Sequence, residues 1–159
     1  MLDITLICVG KLKEKFYADA CAEYIKRLGA YCKITVLEIS EQRKGETPSQ
    51  KEIDAALLRE ADAIQRAIPK GAAVIAMCIE GQTMSSEALA RSLDTFAQST
   101  SRLCFLIGGS DGLHGSVKTL AALRLSMSPM TFPHHLARVM LLEQIYRAFS
   151  ISAGSKYHK

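Results

Sequence analysis

Short apolar runs alternate with amphipathic helical stripes along nearly the whole chain, and few folds accept that rhythm. Leu2–Val9, Lys33–Ile39, Ala72–Ile79 and Arg102–Ile107 have strand length and are rich in Val, Ile and Leu. The stretch Lys11–Leu28 carries Phe16, Ala20, Cys21, Tyr24, Ile25 and Leu28 on one stripe and stops at Gly29. A second stripe, Ile53, Leu57, Ala61, Ile64 and Ile68, follows a capping-box pattern at Ser49 and Glu52 and ends near Pro69-Lys70-Gly71. A third helix, capped by Ser85 or Ser86, carries Leu89, Leu93 and Phe96. Strands alternating with helices predict an α/β fold: a mostly parallel sheet flanked by helices. With 159 residues and no linker, repeat or low-complexity tract, one domain over 1–159 is expected. Glu41–Pro48, polar and holding Gly45, reads as an exposed, mobile loop.

The run Leu103 to Ile107 has no polar residue and reads as a fully buried strand. It breaks at Gly108-Gly109, where a backbone turns sharply and lets a ligand come close. A helix over Gly115–Leu123 and a short strand, Leu125–Met127, follow, ending in an irregular loop at Ser128-Pro129. Ligands of open α/β sheets bind outside the carboxyl ends of strands, so two neighbouring loops of this kind frame a pocket. No window supplies a P-loop, and the dinucleotide fingerprint is absent. S-adenosylmethionine fits that gap, with an adenosine to sandwich and a sulfonium in place of a pyrophosphate. From the loops alone, glycines that only make tight turns stand as an equal alternative.

Five cysteines (Cys8, Cys21, Cys32, Cys78 and Cys104) form no C-x-x-C pair, which argues for reduced thiols in a cytosol and against a disulfide framework or a zinc site. No metal is expected. Nor is a membrane span or a leader: no apolar run is long enough, and the sequence begins on a strand-like segment. The net charge of +4 is unevenly placed. From Lys118 to Lys159 the balance is +5, with Glu143 the one acid, and the rest of the chain is −1. An anionic partner is therefore expected at that end, RNA being the common case.

The last helix, His134–Ser152, is introduced by Pro133 and is apolar on nearly all sides, which predicts burial on more than one face. One face on the sheet and another on a second copy of the chain is the expected arrangement. Glu143 and Arg147, four apart, are placed to pair, while Arg138 points elsewhere and is free for another task. The tail, Ala153–Lys159, is read as a frayed end, although Tyr157, His158 and Lys159 are groups that stack on bases and neutralise phosphates.

Taken together, Ile107-Gly-Gly-Ser-Asp-Gly-Leu113, Leu125-Ser-Met-Ser-Pro-Met-Thr-Phe-Pro-His134, Arg138-Val-x-x-x-Glu143-Gln-x-Tyr146-Arg-Ala148 and the terminal Tyr157-His-Lys159 resemble the ribosomal large-subunit pseudouridine N3-methyltransferase family, of the SPOUT superfamily. Val9-Gly-Lys-Leu-Lys and Leu28-Gly match as well, so the likeness runs over essentially the whole chain. It implies a SPOUT-type fold with a C-terminal trefoil knot, a homodimer, S-adenosylmethionine as methyl donor, and a target pseudouridine in helix 69 of large-subunit rRNA within the assembled ribosome. By position, it implies that Met77, Gly108, Met127, Ser128, Pro129, Met130, Thr131 and Phe132 hold the donor. Met77 stands where relatives usually have Leu.

Methyl transfer to N3 also requires loss of the N3 proton. His134 is the first candidate to receive it, directly or through a water, and His158 the second, as a residue the other subunit would supply. Arg138 is a candidate for holding a phosphate or the base carbonyls, its alternative being an internal ion pair. Arg138, Tyr157, His158 and Lys159 are the RNA-binding candidates. Two other readings stand beside this one: another SPOUT enzyme acting on a ribose or a tRNA base, and a non-catalytic ribosome-associated module that keeps the pocket shape, which a failure to bind the donor would favour.

Overall fold

The three strands with the longest apolar runs end up in the interior of the sheet. The computed structural model describes residues 1–159, and in it β1 (Leu2–Val9) pairs in parallel with β4 (Arg102–Ile107) on one side and with β2 (Cys32–Ile39) on the other. β3 (Ala73–Thr83) lies beyond β4, and β5 (Leu123–Ser126) beyond β3, so the order is β2-β1-β4-β3-β5 with every pair parallel. Both faces of such a sheet are covered, and the strand sequences show it. Ile4, Leu6 and Cys8 of β1, with Leu103, Phe105 and Ile107 of β4, face one core; Ile7 and Val9, with Cys104 and Leu106, face the other.

The first core is closed by α1 (Lys15–Leu28), α3 (Ser86–Ala97) and α5 (His134–Ser152), the second by α2 (Gln50–Ala67) and the short α4 (Gly115–Thr119). Connections that move toward β2 thus cross one face, and those that move toward β5 cross the other. A single handedness of crossover requires that division. The cysteines serve as apolar filler: all five are free, and burial pushes the thiols of Cys8 and Cys104 up to about 12.

Several expectations are met to the residue and others move. The capping box is formed, with Ser49 Oγ accepting from Glu52 N–H at 3.2 Å. Of the two candidates for the third helix, Ser85 is the cap. α1 starts at Lys15 rather than Lys11, because the N–H of Leu12 donates to a Glu38 carboxylate oxygen at 3.2 Å and holds that stretch outside the helix. β3 does not stop at Ile79. It runs on to Thr83 through an irregularity between Met77 and Gln82, and Gly81 is there because a Cβ would lie 2.8 Å from the Arg124 backbone of β5. α4 ends at Thr119, and β5 starts at Leu123, earlier than expected.

α5 runs between α1 and α3 of its own chain, so much of its all-round apolar character is used internally, with Leu141, Leu142, Ile145 and Ala148 buried. Val139 and Met140 remain half-buried and border a cleft of about 450 Å³ shared with Met84 and Met127. The tail is not frayed. Tyr157 packs on Tyr146 at 4.8 Å between ring centres, and its hydroxyl donates to Glu143 Oε1 at 3.1 Å. No helix is long and apolar enough to cross a membrane.

Candidate functional site

Three strand ends and the start of α5 enclose a cleft of about 780 Å³. Its walls are Met77–Glu80 from β3, Ile107–Leu113 after β4, Leu125–Ser128 and Met130–His134 after β5, with Lys118 of α4 and Ala137 of α5 completing the rim. β4 sends its chain to one face of the sheet, while β1 and β3 beside it send theirs to the other. A crevice at the carboxyl ends is what that reversal leaves.

The glycine segment is built tightly. Gly112 N–H donates to Gly109 O at 3.0 Å, and Gly112 takes φ +78°, a left-handed turn that side chains disfavour. The turn brings the Gly112 backbone so close to Gly108 that a Cβ on Gly108 would lie 2.4 Å from the Gly112 carbonyl carbon and oxygen. The neighbouring loop is fixed by its own serines: Ser126 Oγ donates to Ser128 O at 3.1 Å, and Met130 N–H donates to Ser128 Oγ at 3.0 Å. Of the eight residues expected to hold a ligand here, Met77, Gly108, Met127, Ser128, Met130, Thr131 and Phe132 line the cleft. Pro129 is exposed and does not, because the Ser128–Met130 turn carries it outward.

His134 reaches the cleft from the first turn of α5. Burial, and then the adjacent His135, hold its imidazole below the usual histidine range, so the ring is a neutral acceptor at neutral pH. Arg138, one turn on, is not free. Its side chain is 3% exposed; Nη1 donates to Glu38 Oε2 at 2.9 Å and Nη2 to Gly10 O at 3.2 Å, and Nε has no partner. Arg138 is therefore a clasp between α5 and the end of β1, not an exposed phosphate ligand in this chain.

Two of the three tail candidates, Tyr157 and His158, are also occupied, at a place outside the cleft lining. His158 Nε2 lies 2.7 Å from Glu87 Oε1, and its Nδ1 lies 3.1 Å from Arg147. The guanidinium of Arg147 covers the Tyr157 ring at 4.8 Å while pairing with Glu143 at 2.6 Å. Lys118, counted among the available cations, pairs with Glu80 across the cleft edge. Much of the positive charge of the last quarter is thus compensated internally, leaving Arg124, Lys156 and Lys159 exposed.

A model of the family described as "Predicted SPOUT methyltransferase" matches residues 2–158. The chain belongs to the SPOUT methyltransferase family. Among solved structures, a probable methylase family protein from Haemophilus influenzae Rd KW20 superposes with TM-score 0.51 at 11% identity, over 99% of this chain and 70% of that one. The ribosomal RNA small subunit methyltransferase E of Neisseria gonorrhoeae, solved bound to S-adenosyl methionine, superposes with TM-score 0.50 at 11% identity, over 91% of this chain and 65% of that one. At these identities the likeness speaks to the fold.

One part of this SPOUT site has no local sequence signal. The loop after β2, expected to be mobile, closes on the glycine turn: Ser110 Oγ donates to Glu41 Oε1 at 3.1 Å, and Lys44 pairs with Asp111. The loop is anchored from below by Glu60, a buried carboxylate that accepts from Gln42 N–H at 2.9 Å. The partners lie 69 residues apart for Glu41 and Ser110, so only a charge in a polar loop was visible beforehand. Asp111→Asn should unlatch the turn. Amide exchange at Gly109 to Gly112 is expected to speed up about two- to fivefold, matching an ion pair of about 0.5–1 kcal/mol; unchanged exchange would show that the latch holds nothing.

Proposed function

We propose that this chain transfers a methyl group from S-adenosylmethionine to N3 of a pseudouridine in helix 69 of large-subunit rRNA, in the assembled ribosome and as a homodimer. The observation that carries the reading is the glycine turn at the rim of the cleft, where the absence of a Cβ at Gly108 lets the Gly112 backbone fold back against it and form a tight loop beside apolar walls. The cleft suits the donor in its chemistry. Met77, Ile107, Leu125, Met127 and Phe132 give apolar walls, the loops give backbone polar groups, and no cluster of cations awaits a pyrophosphate. The chain threading that the resemblance implies, a trefoil knot, belongs to this reading, as does a cytosolic location. The half-buried Val139, Met140, Met84 and Met127 supply an apolar strip for the dimer.

When bound, the donor supplies an electrophilic methyl on a sulfonium; the N3–methyl bond forms as the sulfur–methyl bond breaks. The protein's share is to align the base and to receive the N3 proton. Alignment of that kind is worth roughly 7–11 kcal/mol in good cases. His134, neutral and facing the cleft, takes the proton directly or through a water.

The pH dependence follows from the depressed pKa of His134. Its neutral form persists below the ordinary value of about 6.5, so the acid limb of the single-turnover rate should lie below that pH. Folding resists protonation of the ring, so stability from this group is full above about 6.5 and declines as pH falls below it. His134→Gln should remove the limb and slow transfer roughly 10²–10⁴-fold; a limb above pH 7 in the unmodified protein would exclude His134 as the acceptor. The reading as a whole is tested by transfer of labelled methyl to intact ribosomes, with mass spectrometry of the helix 69 fragment. Label on another nucleotide would redirect the substrate, and no binding of S-adenosylmethionine by calorimetry would end the reading.

A further inference from the structure

A group of free cations and exposed rings lies at the junction of β1 and α1, against the start of α5. Lys11 and Lys13 are exposed and carry no ion pair, whereas Lys15 pairs with Asp19 at 2.6 Å. Between them and the cleft runs an unbroken set of ring contacts. His134, in the cleft wall, meets His135 at 4.2 Å between centres; His135 meets Tyr17 edge-on at 6.2 Å; Tyr17 meets Phe16 at 4.4 Å. Phe16 closes the series with 65% of its surface exposed.

A large aromatic so exposed at the end of a helix gains nothing from the core, and nothing in the fold requires it there. The chain leading into the track is pinned: Arg138 bonds Gly10 O, Glu38 accepts from Leu12 N–H, and Glu14 lies 3.6 Å from His135 Nδ1. Aromatic rings flanked by unpaired cations are how proteins grip unpaired nucleotides, since every base offers a π-face and every linkage a negative charge.

We propose that this His135–Tyr17–Phe16 track, with Lys11 and Lys13, seats unpaired nucleotides flanking the base that enters the cleft. Phe16 stacks on one of them, and the two lysines neutralise its neighbouring phosphates. The proposal rests on the RNA-methylating reading above and names where that RNA lies on the chain.

The test measures anisotropy of a short fluorescein-labelled oligouridylate, at low salt, alongside calorimetry with S-adenosylmethionine on the same proteins. Phe16→Ala should weaken RNA binding roughly 5- to 100-fold, and Phe16→Trp should restore it. Lys11→Ala with Lys13→Ala should reduce the slope of log affinity against log salt by about 1.4, two contacts at about 0.7 each on a single strand. Donor binding should be unchanged in all of them. Equal RNA affinity in the Phe16→Ala protein, an unaltered salt slope in the double lysine variant, or no oligouridylate binding by the unmodified protein at low salt would each overturn the track. Failure to bind S-adenosylmethionine would instead strike the methyltransferase reading, so the two failures are told apart.

Discussion

Gly108→Ala is expected to lower the affinity for S-adenosylmethionine about 100-fold or more. The added Cβ meets backbone, not a side chain that can swing away: the Gly112 carbonyl carbon and oxygen would be 2.4 Å from it. The turn must open, and Gly109 and Gly112 then lose their mutual hydrogen bond. A hundredfold loss corresponds to about 2.8 kcal/mol, within the range in which overpacking costs about 1–3 kcal/mol. Gly115→Ala is the matched control, since a Cβ there meets nothing within 4 Å and the residue begins a helix. Calorimetry on the two variants decides the matter. Equal affinity in both would mean that the glycine turn does not touch the ligand.

Arg138→Ala should cost about 3 kcal/mol of folding stability, because it removes one partner of a mostly buried ion pair and empties the space under α5. Its second effect is on acid resistance. Burial works against ionisation of Glu38, but the Arg138 hydrogen bond and the Leu12 N–H outweigh it, and the carboxyl is held below its usual 4.5. A carboxylate with a lowered folded pKa stabilises above the unfolded value and loses that contribution as pH falls through the folded one. The unmodified protein should therefore lose stability as pH drops below about 4.5, and the Arg138→Ala protein should show a shallower loss over that window. Denaturant titrations at several pH values measure both. The same steepness in the two proteins would show that the clasp does not set Glu38.

The strands that are continuous apolar runs, and the helix announced by Pro133, were legible because each carries its own local signature: β4 falls on Arg102–Ile107 and α5 on His134–Ser152, as expected. So was most of the cleft, since Gly108 and the segment from Met127 to Phe132 break regular structure at strand ends. What stayed hidden is pairing over distance. Arg138 looked free because the Glu38 that claims it is 100 residues away. The tail looked loose because His158 meets Glu87 across 71 residues. The late start of α1 has the same origin, a backbone amide taken by a carboxylate on the neighbouring strand. Periodicity and caps report on a residue's near neighbours, and each of these contacts is settled elsewhere.

The strand order carries a cost during synthesis. β1 finds β2 early, but its other flank waits until Arg102 and its followers have left the ribosome to join Asp3. Through most of translation the nascent chain therefore displays an unpaired apolar ladder, a template for wrong partners. Yield on expression should respond to translation speed upstream of β4 more than to any change in the finished cleft.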